Sequence, residues 1–305
     1  MNLAASDAAL IGLDWGTSSL RALLIDTVGN VVDVISTPQG IMHVEGRDFD
    51  AVFHDLIGGW LAEKALPVVA SGMITSRNGW VETPYAQVPA GKDELAGALV
   101  EFTTSKGIEI HFVTGMTTEH GGAPDVMRGE ETQIIGAAAM GLGDGMYVMP
   151  GTHSKWLTVK DGAIDDYKTY MTGEMFGVIK DHTILGTLMN GEATDDAGFR
   201  IGVKEGFSAG PDLLHNLFHV RTMPLFGKIS EERTADYLSG MLIGAEIASG
   251  VREFEGDLVT IVARGDLADR YEVALEIAGM KSRRAPENIV ARGHFEIAKS
   301  AGMLS

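Results

Sequence analysis

The chain has 305 residues, 45% of them hydrophobic and 22% charged, which predicts a globular protein large enough for two domains. Its net charge of −18 argues against nucleic acid and anionic membrane surfaces as partners. The absence of cysteine excludes disulfides, thiol catalysis and cysteine-based zinc sites. Because no signal peptide is recognisable and no apolar run reaches the ~20 residues that span a bilayer, we expect a cytoplasmic protein.

Predicted strands alternate with predicted helices along the chain, which indicates an α/β fold. Strands are expected at residues 9–36 (two or three strands), 67–70, 108–114, 146–171 (a second meander) and 258–263. Helices are expected at residues 49–65, 94–106, 129–140, 172–188, 234–250, 268–279 and 293–302. A glycine-rich break at 141–145 favours a domain boundary and a hinge. This predicts an N-terminal domain at 1–140, a C-terminal domain at 141–287, and a last helix at about 288–304 that could return to the first domain.

A similar turn follows an apolar strand in each half of the chain. The first reads Asp14-x-Gly16-Thr17-Ser18, and the second contains Gly151-Thr152. Glycine lets the backbone approach an anion closely, and the turn N–H groups and hydroxyls suit phosphate. An ordinary β-hairpin explains either copy alone, but two copies favour binding of a nucleotide triphosphate.

Charged residues near the two turns suggest how phosphate would be handled. Asp14 would repel phosphate, so we expect it to hold Mg²⁺, which takes one or two carboxylates together with phosphate oxygens. Phosphoryl transfer also needs positive charge at the transferring group. Arg21 and Lys155 are the nearest cations in sequence, and Lys155 is the stronger candidate.

Two halves that each carry such a turn resemble the actin/hexokinase/heat-shock-cognate ATPase superfamily. The resemblance implies two actin-like, ribonuclease H-like domains related by a pseudo-repeat, with a nucleotide cleft between them. It also implies adenosine contacts near Ala263 and Gly265. The superfamily usually has a Gly-Gly pair there, whereas this chain has Arg264 before Gly265, which puts the adenine contacts in doubt.

Longer strings are similar to the 2-dehydro-3-deoxygalactonokinase family. They are Asp14-Trp-Gly-Thr17, Gly79-Trp80 with Pro84-Tyr85, Val126-Met-Arg-Gly-Glu-Glu-Thr-Gln133, Met149-Pro-Gly-Thr-His-x-Lys-Trp156, Met171-Thr-Gly-Glu174 and Leu238-Ser-Gly-Met-Leu-Ile-Gly-Ala-Glu246. The resemblance runs from about residue 10 to 300. It implies that ATP phosphorylates 2-dehydro-3-deoxy-D-galactonate at its terminal C6 hydroxyl, and that the product feeds an aldolase in galactonate catabolism.

The catalytic base is predicted from the Gly129-Glu130 dipeptide. In related sugar kinases a Gly-acid dipeptide opens a helix shortly before the second phosphate turn, and its carboxylate is the base. The resemblance therefore implies this role for Glu130, with Glu131 as the fallback. Acidic residues also suit a helix N-terminus for electrostatic reasons alone, so a structural role for both stays open.

The sugar acid carries a carboxylate, which an arginine can bind with its planar fork. Arg77 and Arg128 are the candidates. Trp80 and Tyr85 are candidates for walls of the sugar pocket, although aromatic residues at these positions could equally belong to the core.

Other functions remain compatible with the sequence. The chain could phosphorylate another sugar acid such as 2-keto-3-deoxygluconate, or it could be a phosphatase that uses water as acceptor. A non-kinase actin-like ATPase, either a polymer or a regulator, is the third alternative. The expected partners are ATP and a small sugar acid, and the sequence is also compatible with a homodimer.

Overall fold

The computed structural model describes residues 7–189, 196–252, 254, 256–263 and 265–304 of a mixed α/β protein. The strands are β1 Ala8–Trp15, β2 Leu20–Asp26, β3 Val31–Thr37, β4 Val68–Ser71, β5 Tyr85–Gln87, β6 Val100–Thr103, β7 Glu109–Phe112, β8 Gly115–His120, β9 Ala123–Met127, β10 Gly145–Met149, β11 Ser154–Lys160, β12 Ala163–Tyr170, β13 Leu258–Ile261 and β14 Lys281–Arg284. The helices are α1 Phe49–Glu63, α2 Lys92–Gly97, α3 Glu130–Ala137, α4 Thr172–His182, α5 Asp196–Ala209, α6 Leu213–Asn216, α7 His219–Leu225, α8 Thr234–Gly250, α9 Gly265–Ile277 and α10 Ile289–Ser300.

The chain divides into two compact units. Unit 1 comprises the described parts of Met1–Asp144, Val159–Asp166 and Pro286–Ser305, and unit 2 comprises those of Gly145–Thr158 and Tyr167–Ala285. Unit 1 is therefore discontinuous in sequence, and its last segment contains α10.

Unit 1 is built on a six-stranded sheet in the order β3-β2-β1-β4-β7-β6. Strands β1 to β3 pair antiparallel, whereas β4 lies parallel to both β1 and β7. Both central strands are apolar and almost entirely buried, as expected for strands covered on two faces. Because β1 and β4 run parallel, their carboxyl ends meet at the same edge of the sheet, where Asp14 lies opposite Ser71.

Helices α3 and α10 cross at very short range in unit 1. A Cβ atom on Gly136 of α3 would lie 1.8 Å from the Ile289 carbonyl oxygen, and one on Gly293 of α10 would lie 1.8 Å from the Thr132 carbonyl oxygen. Only glycine permits such an approach of two backbones. This crossing holds α3, which carries the predicted base, against the last helix.

Unit 2 contains strands of a five-stranded sheet in the order β12-β11-β10-β13-β14, and β13 pairs parallel with β10 and β14. Helix α8 covers the bounds predicted from sequence and is buried along most of its length. Its glycines pack directly on α5: a Cβ on Gly240 would lie 2.1 Å from the Phe199 carbonyl oxygen. The small residues of α8 thus permit close helix packing.

Several parts of the predicted secondary structure differ from the structure. Residues 94–106 were predicted as one helix, but α2 ends at Gly97 and β6 follows. In β6 the apolar residues Val100 and Phe102 alternate with polar ones, and the strand pairs antiparallel with β7. The hairpin β8–β9 was not predicted, and neither were the helices between 196 and 225.

Candidate active site

Two glycines bring the predicted base close to the end of β1. Gly72 has φ +98°, and a Cβ there would lie 2.8 Å from the Trp15 carbonyl oxygen. Gly129 has φ +112°, and a Cβ there would lie 3.0 Å from the Cα atom of Gly72. Both conformations favour glycine. The backbone contacts therefore run from the end of β1 through Gly72 to the start of α3, whose first residue is Glu130.

The two acidic residues at the start of α3 have different environments. Glu130 is partly exposed, and its Oε2 accepts a hydrogen bond from the Arg128 N–H at 3.0 Å. Glu131 is completely buried, and both its oxygens accept from the Gly129 N–H, at 2.9 and 2.7 Å. Burial, together with the nearby charge of Glu130, raises the pKa of Glu131 from 4.5 to about 7. Of the two, Glu130 alone has exposed surface that a substrate could reach, whereas Glu131 caps the helix.

Asp14 forms a close ion pair across the first hairpin. It lies opposite Arg21 in the antiparallel register of β1 and β2. Its Oδ2 accepts from Arg21 Nε at 3.2 Å and from Nη2 at 2.5 Å. Arg21 was the second candidate for the phosphate-binding cation in the sequence, and the structure pairs it with the predicted metal ligand.

The first predicted phosphate turn is a tight, exposed loop. The Gly16 N–H donates to the Ser19 carbonyl at 2.9 Å and closes the turn, which leaves the Thr17 and Ser18 side chains exposed. Gly40 packs directly against the loop, since a Cβ there would lie 2.3–2.4 Å from backbone atoms of Ser18 and Ser19. The loop is held in shape by backbone contacts, while its hydroxyls face solvent.

Arg128 is engaged within unit 1. Its Nη1 donates to the carbonyl and hydroxyl of Thr75 at 2.6 and 2.8 Å and to the Thr83 hydroxyl at 2.5 Å. Its Nη2 donates to the Thr83 carbonyl at 3.1 Å. The guanidinium also stacks over the ring of Tyr85, 4.3 Å from the centroid. Arg128 thus fixes the loop before Tyr85 instead of extending toward solvent, and the Tyr85 ring supports it.

The other two predicted sugar contacts, Trp80 and Arg77, differ in burial. Trp80 packs in the core of unit 1, with five aromatic rings 5.1–6.4 Å from its centroid: Trp15, Phe49, Phe53, Phe102 and Phe112. This is the core position that the sequence left as the alternative. Arg77 is exposed, on the loop that follows Gly72.

In unit 2 the second predicted phosphate turn packs on the start of α4. A Cβ on Gly173 would lie 2.4 Å from the Gly151 carbonyl oxygen, and the Glu174 N–H donates to the Thr152 carbonyl at 3.0 Å. Thr152 is exposed. Lys155 is 4% exposed, and its Nζ donates to the His153 carbonyl at 3.1 Å. The backbone of the turn is available to a ligand, whereas Lys155 lies inside the protein.

A cavity of about 260 Å³ opens beside this turn. Its lining combines the turn, the start of α4, the middle of α8 and the start of α9: Gly151, Thr172, Gly173, Phe176, Ser239, Leu242, Ile243, Asp266, Leu267, Arg270 and Tyr271. Gly265, the predicted adenosine contact, has φ +59° and immediately precedes two of these residues. Arg264 lies outside the described residues.

The sequence did not predict the polar residues that shape this cavity. Arg270 donates to the buried Asp236 at 2.6 Å and to Ser239 at 3.2 Å, both on α8. Asp236 and Ser239 are three residues apart, so they lie on the same face of α8, and this spacing was the available signal in the sequence. Glu246, further along α8, accepts hydrogen bonds from several groups around the cavity.

Comparison with solved structures defines the class of fold. The activator of the 2-hydroxyisocaproyl-CoA dehydratase from Clostridium difficile, solved with bound ADPNP, superposes with a TM-score of 0.50 over 96% of both chains at 12% identity. At this identity the likeness concerns the fold alone. The chain thus has a mixed α/β fold, which confirms the α/β class predicted from the sequence.

Closer relatives identify the family. The model of the 2-keto-3-deoxy-galactonokinase family matches residues 14–297, and the chain belongs to this family. It is 35% identical to the 2-dehydro-3-deoxygalactonokinase of Escherichia coli (strain K12) over 89% of this chain and 91% of that protein. A crystal structure from Sinorhizobium meliloti, assigned to the same activity, superposes with a TM-score of 0.87 at 32% identity, covering 96% of this chain and 98% of that chain. The protein is therefore a sugar-acid kinase, which confirms the family resemblance.

Proposed function

We propose that this kinase transfers the γ-phosphoryl group of ATP to the C6 hydroxyl of 2-dehydro-3-deoxy-D-galactonate. The names of the relatives support this substrate. The product would be a 6-phosphate suited to aldol cleavage in galactonate catabolism. One observation carries the assignment of the acceptor site: a partly exposed carboxylate, Glu130, is held at the start of α3, where close backbone contacts of Gly72 and Gly129 connect it to the end of β1.

Glu130 is the proposed general base. Its carboxylate would accept the proton of the C6 hydroxyl while that oxygen attacks the γ-phosphorus and the bond to the β-phosphate oxygen breaks. The hydrogen bond from the backbone N–H of Arg128 to Oε2 orients the Glu130 carboxylate. Glu131 is not suited to this role, because it is buried and its oxygens bind the helix N-terminus.

Unit 2 supplies the proposed nucleotide site. The cavity beside Gly151 has apolar walls, among them Phe176 and Leu242, and polar groups on α9. Such a combination suits an adenosine moiety. The backbone of Gly151 and Thr152 would donate to phosphate, and Gly265 would adjoin the adenosine. Lys155 was proposed from sequence as the catalytic cation, and its burial makes a role in shaping the turn the simpler assignment.

Asp14 is the proposed ligand of Mg²⁺. Both arginine contacts fall on its Oδ2, and its side chain is 19% exposed, so one carboxylate edge suits a hydrated divalent cation. When bound, Mg²⁺ would neutralise charge on the triphosphate. Thr17 and Ser18, exposed on the turn next to Asp14, would donate hydrogen bonds to phosphate oxygens.

The remaining assignments concern the carboxylate site, architecture and setting. Arg77 is the better candidate for the sugar carboxylate, since it is exposed and the Arg128 guanidinium is engaged with two threonines.

The two larger sheets have corresponding strand orders, β3-β2-β1-β4-β7 and β12-β11-β10-β13-β14, which supports the proposed actin-like pseudo-repeat. Dependence on ATP and a metabolite favours the cytoplasm. No described helix is long and apolar enough to cross a membrane.

The test is ADP release with Mg-ATP and a panel of sugar acids that includes 2-keto-3-deoxygluconate. Wild-type protein should turn over 2-dehydro-3-deoxygalactonate, and the E130Q variant should lose about 10²- to 10⁴-fold in kcat with an unchanged KM for ATP. The E119Q variant, an identical change at an exposed position of β8, is the control. Turnover of another sugar only would reject the substrate, and full activity of E130Q would reject the base.

A further inference from the structure

Glu246 is a buried carboxylate that accepts side-chain hydrogen bonds from three different parts of unit 2. It is 3% exposed and lies on α8. Its Oε1 accepts from the Ser154 hydroxyl and from the Trp156 indole N–H, both at 2.7 Å, and its Oε2 accepts from the Tyr271 hydroxyl at 2.8 Å. The Thr172 hydroxyl is a fourth donor. The carboxylate thus links β11, the start of α4 and α9.

The four donors belong to the two structures that the proposed nucleotide site needs. Thr172 and Tyr271 line the cavity itself. Ser154 and Trp156 lie on β11 directly after the Gly151–Thr152 turn, and they turn toward α8 because alternate residues of a strand share a face. Glu246 therefore fixes the cavity wall and the strand that follows the phosphate turn with a single group.

This arrangement suits a carboxylate. An ionised carboxylate only accepts hydrogen bonds, so four donors can converge on its two oxygens. A glutamine has one accepting oxygen, so a hydroxyl that faces its NH₂ group would have to reverse its hydrogen bond and give up its present partner geometry. Burial raises the pKa of Glu246, whereas the hydrogen bonds from its four donors lower it. Burial of a carboxylate costs solvation free energy, so its use here points to a geometric requirement.

We propose that Glu246 is the positioning residue of the nucleotide site, holding the cavity wall and the phosphate turn in the geometry that binds ATP. This inference rests on the proposed nucleotide site. Glu246 does not line the cavity. Its effect passes through Thr172, Tyr271 and the β11 residues on either side of Lys155.

The experiment measures ADP binding by calorimetry and the KM values for ATP and for the sugar acid. For E246Q we expect the Kd for ADP and the KM for ATP to rise at least about tenfold, while the KM for the sugar acid is unchanged. The matched control is E276Q, the same change at an exposed position of α9 with a 74% exposed side chain, and it should behave as wild type. A rise in both KM values to the same extent would show a merely structural role and overturn the proposal.

Two further variants keep the proposal testable if E246Q does not fold. Y271F removes a donor in the cavity wall, whereas S154A removes a donor that lies outside the cavity lining. Both should raise the Kd for ADP, and S154A removes a hydroxyl that contacts Glu246 and Tyr271 but itself lies outside the cavity lining. Unchanged ADP binding by both variants overturns the inference alone. Absence of ADP binding by the wild type would instead reject the nucleotide site on which the inference rests.

Discussion

Replacement of the buried Glu131 by glutamine tests the electrostatics at the start of α3. Burial and the charge of Glu130 raise the pKa of Glu131 from 4.5 to about 7 in the folded protein. Between these two pH values the unfolded chain has released the proton that the folded protein still holds. Stability is therefore lost as pH rises through this window, and it falls no further above pH 7 on account of this group.

The size of the effect follows from the pKa difference. One pKa unit corresponds to about 1.4 kcal/mol, so the rise from 4.5 to about 7 amounts to about 3 kcal/mol of unfolding free energy. This is a large fraction of the ~5–15 kcal/mol that stabilises a typical domain. The E131Q variant carries no titrating group there and should lack this loss, so its stability relative to wild type should increase from pH 5 to pH 8.

Urea unfolding followed by tryptophan fluorescence at several pH values is the measurement. Three of the four tryptophans belong to unit 1, which contains Glu131, so the signal reports mainly on that unit. The E119Q variant controls for the loss of one negative charge at an exposed site. A difference between wild type and E131Q that does not change with pH would refute the reasoning, because it would mean that Glu131 titrates alike in both states.

Two further substitutions test the packing of the second phosphate turn and the hydrogen bonds of Arg128. G173A would place a Cβ 2.4 Å from the Gly151 carbonyl oxygen, so we expect it to displace the turn. It should lower the free energy of unfolding in urea by about 1–3 kcal/mol and raise the KM for ATP. G177A, at an open position of the same helix, is the control and should be neutral or stabilising. R128K cannot reproduce the guanidinium fork that donates to Thr75 and Thr83, so thermal unfolding should show a loss of about 2 kcal/mol or more in the free energy of unfolding. Unchanged stability with a raised KM for the sugar acid would instead favour carboxylate binding by Arg128.

Local sequence signals predicted most of the elements, because apolar periodicity and glycine positions are local properties. The meander of unit 1 and the apolar helix α8 follow from such patterns. The short strand β6 did not: it was merged into a helix, since its four residues carry too short an alternation to outweigh the helical stretch before it. The environment of each site residue depends on contacts distant in sequence, and these could not be derived from local patterns.

Arg128 and Glu131 illustrate this limit. The sequence placed both beside the predicted base, where an arginine suits a sugar carboxylate and a glutamate suits catalysis. The structure surrounds Arg128 with two threonines 45 and 53 residues earlier in the chain, and it buries Glu131 completely. Only tertiary packing decides which charged groups of one short motif remain available to a substrate.

The return of α10 to unit 1 has a consequence for folding during synthesis. The crossing of Gly136 with the backbone at Ile289 needs a helix that is translated after all of unit 2. While the ribosome is still translating unit 2, α3 lacks the surface on which it packs, and the loop to be closed spans about half the chain. The segment that carries the proposed base therefore reaches its final form only after the unit with the proposed nucleotide site has been made.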